Sequence, residues 1–437
     1  MILPVVIWQR ASAEERRAAL QRPVTEDSTD RPSRVRQIVA AVKQRGDQAL
    51  LEWTAALDGA KLSQLRVSQA EIASARSQVD DRFVDDLSEA IAWVRRFHQP
   101  QRPASMVVQT SMGVRCERRW VPIERVGLYV PGGTAPLFST VVMLGVPSQI
   151  AGCPVRILAT PPRPDGSIDP QILVAASLVG IADVFKLGGA QAIAALAYGS
   201  ASVPKVDKIF GPGNAWVAEA KLQVAQDAAG AALDLPAGPS EVLVIADASA
   251  DPEFVAADLL AQAEHGIDSQ VILVSDAPEQ IEQVNRAVAE QLERLPRREI
   301  AAQALGRSTA ILVDDLAAAM AISNQYAPEH LILAVRQPRR LVESVRCAGS
   351  VFLGRWTPET VGDYGSGTNH VLPTSGWARA YPGLSTESFM TSFSLQELDE
   401  EGIASLGPVV ARLADREGLA AHAEAVRLRL RAQERGK

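Results

Sequence analysis

The run Val126-Gly-Leu-Tyr-Val130 begins a series in which short β-branched segments alternate with segments of helical periodicity. The series continues through Val155-Arg-Ile-Leu-Ala159 to Glu241-Val-Leu-Val-Ile-Ala246. A second series follows, with strands predicted at 270–275, 309–313, 330–335 and 350–353. Such alternation is typical of parallel sheets flanked by helices. The sequence therefore predicts an α/β protein with two α/β units.

The two ends of the chain are predicted to be mostly helical. Ser12 and Glu15 have the spacing of a capping box at the start of a first helix. A long amphipathic helix is predicted from Arg34 to Leu57, with an interruption at Gly46. Further helices are predicted at 70–98, 403–413 and 419–434.

Composition excludes several classes of protein. The chain has 437 residues, a net charge of −7 and a pI near 5.5. The length suggests more than one domain, and the lack of a basic, aromatic-rich stripe argues against nucleic-acid binding. Three widely spaced cysteines without a CxxC pair predict neither a disulfide framework nor a thiolate metal site. Without a signal peptide or an apolar run of ~20 residues, we expect a cytoplasmic protein that does not bind membranes.

Four of the five histidines lie in short polar segments. These segments are Gln262-Ala-Glu-His265, Tyr326-Ala-Pro-Glu-His330, Gly362-Asp-Tyr-Gly-Ser-Gly-Thr-Asn-His370 and Glu417-Gly-Leu-Ala-Ala-His422. Neutral imidazole is the commonest metal ligand and the side chain best suited to proton transfer near neutral pH. The four segments together indicate a metal-dependent active site.

A metal site is suggested by Gln262 and His265, which share a helix face because they are three positions apart. Asp363 lies in a glycine-rich loop shortly after Glu359. Nitrogen and oxygen ligands of this kind suit a borderline ion such as zinc. Spacing alone leaves open the alternative that the pair is the solvated face of a helix.

Glu329 and His330 form a candidate acid–base pair at a loop-to-strand junction after Pro328. Ligands bind at strand ends in open α/β sheets, and a carboxylate beside an imidazole supplies a base and a water activator. Neighbouring strand residues point to opposite faces, so both reach one substrate only where the strand has barely begun. The alternative is a surface glutamate beside a histidine at the edge of the core.

Three glycine-rich turns each follow a predicted strand and precede a predicted helix. They are Tyr129-Val-Pro-Gly-Gly-Thr-Ala-Pro136, Leu187-Gly-Gly-Ala-Gln191 and Phe210-Gly-Pro-Gly-Asn214. Open amides at helix N-termini suit phosphate, so three such turns suggest a dinucleotide. None is a GxGxxG motif with an acidic residue ~20 positions later, and ordinary tight turns are the alternative. Ser240 lies in a rigid loop rich in proline and glycine. Its hydroxyl either donates a hydrogen bond to a ligand or hydrogen-bonds the backbone of its own turn.

At these residues the chain closely resembles the histidinol dehydrogenase family, over about residues 20–430. The matching segments are Gly127-Leu-Tyr-Val-Pro-Gly-Gly133, Gly188-Gly-Ala-Gln-Ala-Ile-Ala194, Lys208-Ile-Phe-Gly-Pro-Gly-Asn214, Leu235-Pro-Ala-Gly-Pro-Ser-Glu241, Gln262-Ala-Glu-His265, Asn324-Gln-Tyr-Ala-Pro-Glu-His330 and Gly367-Thr-Asn-His-Val-Leu-Pro373. The loop Ser375–Gly383 departs from the family's pattern.

The resemblance implies two incomplete Rossmann-like domains, one inserted in the other, with helical N- and C-terminal extensions. Residues 1–30 would form an N-terminal arm, residues 31–128 and 242–375 the larger α/β domain, residues 129–241 the inserted α/β domain, and residues 376–437 the C-terminal helical extension.

The resemblance also implies the site residues. One zinc ion per subunit would be held by Gln262, His265, Asp363 and His422, and the catalytic pair would be Glu329 and His330. Substrate contacts would come from the four zinc ligands and Glu329, together with Ser240, Glu359, His370 and Glu417. NAD contacts would come from Tyr129, Gln191 and Asn214. Glu417 and His422 would reach the site from a second copy, so the implied assembly is a homodimer with shared active sites.

The implied reaction is the zinc-dependent, NAD-linked, four-electron oxidation of L-histidinol through L-histidinaldehyde to L-histidine, the last two steps of histidine biosynthesis. Two other functions stay open. One is a zinc- and NAD-dependent dehydrogenase of the same scaffold that acts on another alcohol, such as a sulfonated diol. The other is a non-catalytic, metal-binding dimer.

Overall fold

The computed structural model describes residues 2–23, 30–132, 136–236 and 238–435. Part of the predicted arm (24–29), part of the first glycine-rich turn (133–135) and Ala237 lie outside the described residues. The strands are β1 (Val5–Ile7), β2 (Met106–Ser111), β3 (Val114–Pro122), β4 (Arg125–Tyr129), β5 (Val155–Thr160), β6 (Asp183–Lys186), β7 (Lys208–Phe210), β8 (Ala232–Leu233), β9 (Glu241–Ala246), β10 (Gln270–Ser275), β11 (Thr309–Leu312), β12 (His330–Ala334), β13 (Ser350–Leu353) and β14 (Met390–Leu398).

The helices are α1 (Ala13–Ala19), α2 (Arg31–Arg45), α3 (Asp47–Leu57), α4 (Gln69–Arg76), α5 (Asp81–His98), α6 (Phe138–Ala151), α7 (Pro170–Leu178), α8 (Gly189–Tyr198), α9 (Ala215–Ala225), α10 (Pro252–Ala263), α11 (Pro278–Leu292), α12 (Arg298–Leu305), α13 (Leu316–Tyr326), α14 (Arg339–Val342), α15 (Thr360–Tyr364), α16 (Glu400–Arg416) and α17 (Ala420–Arg435). The predicted capping box of α1 is confirmed, as is the interruption at Gly46, where φ is 53°.

The larger sheet has six parallel strands in the order β1-β11-β10-β9-β12-β13. Every residue of β9 and β10 is buried, because α10, α11 and α12 cover one face and α13 covers the other. The continuous apolar run Val242-Leu-Val-Ile245 is typical of a strand covered on both faces. β1 joins this sheet from the N-terminal arm, beside β11.

The second sheet has five parallel strands in the order β6-β5-β4-β7-β8. Helices α5, α6 and α7 pack on one face, and α2, α8 and α9 pack on the other. All five strands come from residues 125–233, after β1 but before the other strands of the larger sheet. Two parallel, helix-covered sheets confirm the predicted α/β class, whereas the exact domain limits stay a prediction.

A third sheet, which the sequence pattern did not predict, is antiparallel and has the order β14-β3-β2. Most of its residues are exposed or half-buried, so they lack the regular alternation of a strand packed on a core. Met390 pairs with Pro122, and Leu398 pairs with Val114. This pairing ties the start of the C-terminal extension to the segment that precedes the five-stranded sheet.

The chain ends in two helices, α16 and α17, as the sequence predicted, and the two pack against each other. Gly407 lies where they come closest, since an added Cβ would stand 3.0 Å from Leu430. Within the described ranges, no helix is long and apolar enough to cross a membrane.

Candidate active site

The Glu329–His330 pair lies where α13 passes almost directly into β12. Ala327 follows the helix in the left-handed conformation, with φ 54°, and Pro328 cannot extend the helix because it lacks a backbone N–H. β12 then begins at His330. The pair therefore lies at the amino end of β12, at the loop-to-strand junction that the sequence predicted.

The first peptide groups of β9 contact both members of the pair. The backbone N–H of Glu241 donates to Glu329 Oε2 at 2.9 Å, and Nδ1 of His330 lies 3.2 Å from the carbonyl oxygen of Glu241. A carbonyl only accepts hydrogen bonds, so this contact places the proton on Nδ1 and leaves the lone pair on Nε2. His330 therefore has the tautomer of a base that acts through Nε2.

Other predicted residues surround the pair. His330 Nδ1 lies 3.6 Å from Glu329 Oε2 and 3.7 Å from Glu359 Oε1, and all three side chains are buried. Ser240 immediately precedes β9 at the same edge of the sheet. The charges of Asp363 and His370 also act on this group of side chains.

Burial dominates the protonation of this cluster. It raises the pKa of Glu329 and of Glu359 well above the usual range, and the charge of Asp363 adds to both shifts. It raises the pKa of Asp363 to about 7. Among the described residues, no arginine or lysine forms an ion pair with any of these three carboxylates. Such a pocket favours a cationic ligand, because a cation would stabilise their ionised forms.

Burial lowers the pKa of His330 to about 3 and that of His370 to about 4, and the charge of His265 adds to both shifts. Both imidazoles are therefore neutral near pH 7. Neutral imidazole is the form that accepts a proton or binds a metal ion.

Gln262 and His265 meet at the end of α10, where Gln262 Nε2 lies 3.2 Å from His265 Nδ1. Three buried atoms of the cluster have no hydrogen-bond partner within the described part of the chain: Gln262 Oε1, Glu359 Oε2 and His370 Nε2. Each such atom costs about 1–3 kcal/mol unless a ligand satisfies it. The donor set of amide oxygen, imidazole and carboxylate therefore fits a bound cation.

The described residues contain no group of three or more His, Cys, Asp or Glu side chains placed to hold a metal ion. The predicted zinc set has only two such side chains in the body of one chain, His265 and Asp363, since the third ligand is Gln262. The fourth, His422, is exposed on α17, and Glu417 is exposed at the end of α16. No hydrogen bond or ion pair in the described structure joins either of them to the cluster.

The three predicted NAD contacts lie at the carboxyl ends of strands in the five-stranded sheet. Tyr129 ends β4, and its hydroxyl accepts from the backbone N–H of Gly189 at 3.1 Å. Gln191 lies in the first turn of α8, and Asn214 caps α9 by accepting from Trp216 and Val217. An added Cβ at Gly211, where φ is 119°, would stand 2.0 Å from the carbonyl oxygen of Tyr129, so only glycine fits this turn.

Asp58, at the end of α3, is a site residue that the sequence pattern did not indicate. Its Oδ2 accepts from Gln191 Nε2 at 3.1 Å, and burial raises its pKa from 3.8 to about 6. Gln191 Oε1 is itself buried without a partner in the described structure. Asp58 lies far from Gln191 in the chain, and no local motif marked it.

Comparison with known proteins is consistent across the whole chain. The model of the family named histidinol dehydrogenase matches residues 20–430. The chain is similar to the histidinol dehydrogenase of Xanthomonas oryzae pv. oryzae, with 54% identity over 428 residues that cover 98% of this chain and 99% of that protein. Its identity to the Photobacterium profundum histidinol dehydrogenase is 50% over 428 residues, covering 98% and 96%. The crystal structure of histidinol dehydrogenase from Elizabethkingia anophelis matches with a TM-score of 0.95 and 45% identity, and the match covers 99% of each chain.

The raised pKa of Asp58 predicts a pH-dependent loss of stability. The folded protein holds this proton more tightly than the unfolded chain, so the stabilisation is complete below pH 3.8 and is lost as the pH rises through about 6. We expect Asp58→Asn to have a higher free energy of unfolding than the wild type at about pH 7.5, with the difference vanishing near pH 4. Chemical denaturation at both pH values measures it. Asp85→Asn, the same exchange at an exposed position, is assayed alongside as the control. A change in stability that is equal at both pH values for Asp58→Asn would contradict the prediction.

Proposed function

We propose, since the chain belongs to the histidinol dehydrogenase family, that it oxidises L-histidinol through L-histidinaldehyde to L-histidine with two molecules of NAD. The observation that carries this proposal is the buried, neutral His330, whose Nδ1 contacts the carbonyl oxygen of Glu241 and whose Nε2 is free to act as a base. The matched substrate residues Ser240, Glu359 and His370 lie at the same edge of the sheet or in the same cluster.

The pocket suits a ligand with two basic nitrogens and an alcohol. Gln262, His265 and Asp363 of one copy, with His422 of a second copy, would hold a zinc ion. When bound, zinc would supply a Lewis acid that anchors a ligand with basic nitrogens. Glu359, Asp363 and His370 would orient the bound molecule, because Glu359 Oε2 and His370 Nε2 have no hydrogen-bond partner in the described structure.

His330 accepts the alcohol proton on Nε2 while the carbinol hydride leaves for NAD, which is the chemistry that this cofactor supplies. The aldehyde stays in the buried pocket. His330 then releases this proton to solvent, and Glu329 orients a water molecule that adds to the aldehyde carbon. The neutral His330 takes the proton of the resulting hydrate as the second hydride leaves for a second NAD. Exclusion of bulk water and tight holding keep the reactive aldehyde from escaping between the two steps.

The shared active site is supported by an exposed apolar surface on the antiparallel sheet and the C-terminal helices. Its members are Met106, Val107, Val108, Phe393, Leu398, Val409, Val410 and Leu413. Large contiguous apolar surface on a folded chain is typical of a protein interface. We infer that a second copy covers it, and that the same contact brings Glu417 and His422 of each copy to the pocket of the other.

The stoichiometry of NADH tests the proposed reaction. Because one bound substrate is oxidised twice, L-histidinol should yield two NADH per molecule, measured at the absorbance band of NADH, with L-histidine as the product. A sulfonated diol offered to the same preparation should yield little. One NADH per histidinol with release of aldehyde, or preference for the diol, would contradict the proposal.

The role of His330 predicts a selective loss of turnover. His330→Asn removes the base but no zinc ligand, so we expect about a 10³-fold fall in kcat with an unchanged zinc content. Steady-state kinetics and metal analysis of the same preparation measure both quantities, and the melting temperature controls for folding. Turnover within a few-fold of the wild type would remove His330 from this role.

Sharing of the site predicts that two inactive variants restore each other. His330→Asn removes a residue that each chain supplies to its own active site. His422→Asn removes a residue that each chain supplies to the active site of the other copy. After the two are unfolded and refolded together, half of the dimers are mixed, and each has one intact site, so activity should reach about a quarter of the wild type. Each variant refolded alone is the control. No recovery would contradict sharing.

A further inference from the structure

Glu241, the first residue of β9, joins the catalytic pair to the N-terminal arm. Its backbone contacts Glu329 and His330 as described above. Its side chain is 3% exposed and belongs to a second polar cluster. There it accepts two hydrogen bonds from Arg22, at 2.5 Å from Nε and 2.8 Å from Nη2.

Arg22 is itself fixed from several directions. Its Nη2 also donates to the carbonyl oxygen of Tyr326 at 2.8 Å, and its guanidinium lies 3.9 Å from the centre of the Tyr326 ring. The Tyr326 hydroxyl lies 3.1 Å from Glu241 Oε2 and 2.8 Å from Gln270 Oε1. The arm, α13, β9 and β10 therefore meet at one carboxylate.

We infer that Arg22 is a positioning residue for the reaction. Through the Glu241 side chain, it fixes the peptide groups at the start of β9 that orient Glu329 and His330. This inference rests on the proposed function, because it assigns Arg22 a role through the proposed catalytic pair. Arg22 itself contacts neither side chain of that pair.

The inference follows from what an unpaired Glu241 would do. Tyr326 and Gln270 offer this carboxylate no positive charge, and Glu329 on the other side adds a buried carboxyl group. Loss of Arg22 leaves an uncompensated buried charge, which has to move toward solvent or take up a proton. Either change displaces the start of β9, and a shift of about 1 Å in catalytic geometry costs about 10²-fold in rate.

The alternative is an ordinary structural ion pair, and a double-variant series separates the two roles. Arg22→Gln should lower kcat about 10²-fold, while the KM for histidinol and the zinc content stay within about twofold. Adding Glu241→Gln removes the unpaired charge and keeps the backbone contacts, so the double variant should recover at least tenfold in kcat over Arg22→Gln. Arg16→Gln is the matched control, because Arg16 of the same arm hydrogen-bonds the backbone of Trp8 and Gln9 and lies over the Trp8 ring, and in the described structure it makes no hydrogen bond or ion pair with Glu241.

Three results would overturn the positioning role: an unchanged kcat in Arg22→Gln, a parallel loss of substrate and zinc binding, or a double variant no better than the single one. Should Arg22→Gln fail to fold, Arg22→Lys replaces it. Lysine keeps the charge without the two-pronged contact, so a fall of about tenfold in kcat is expected, and an unchanged kcat overturns the role. The wild type and His330→Asn are assayed alongside. If the wild type does not oxidise histidinol, or if His330→Asn keeps its kcat, the proposed function itself is contradicted. If only the Arg22 variants keep the wild-type kcat, the positioning role alone is contradicted.

Discussion

The contacts made by the first residue of β9 are the constraint on which the candidate site depends. One backbone N–H orients the Glu329 carboxyl group, and the carbonyl of the same residue fixes the tautomer of His330. Both contacts require β9 and β12 to be neighbours in parallel register, so that their amino ends coincide. The larger sheet thus serves as the rigid frame of the candidate site, and the proposed catalytic groups lie at the end of a strand instead of on a loop.

Much of the fold could be predicted from the sequence, because a parallel strand that is covered on both faces consists of a continuous run of apolar residues. Val242-Leu-Val-Ile245 in β9 is an example, and the run Val271-Ile-Leu-Val274 in β10 is another. The sheet β14-β3-β2 was not predicted, because most residues of its strands are exposed and so show no alternation of apolar and polar positions. Its strand β14 pairs with β3, which lies far away in the chain, and a local sequence pattern cannot predict which distant strands will pair.

The candidate site was predictable to the extent that its residues sit in unusual local contexts. Gln262 with His265 and Glu329 with His330 are such pairs, and in the structure Gln262, Glu329 and His330 are buried whereas His265 is exposed. Arg22 and Asp58 could not be found this way, because arginine and aspartate are common on surfaces and their partners lie far away in the chain. Glu417 and His422 are both exposed in the single chain. Their proposed roles therefore require a dimer in which each copy brings these residues to the site of the other.

The antiparallel sheet also has a bearing on how the chain is made. β2 and β3 leave the ribosome early, whereas β14, which completes their sheet, is synthesised only after more than half of the chain has followed. β1 likewise waits for β11. Until then the nascent protein carries unpaired strand edges, which are templates for wrong pairing with other chains. Completion of these two sheets therefore requires β1, β2 and β3 to stay available until their late partners have been synthesised.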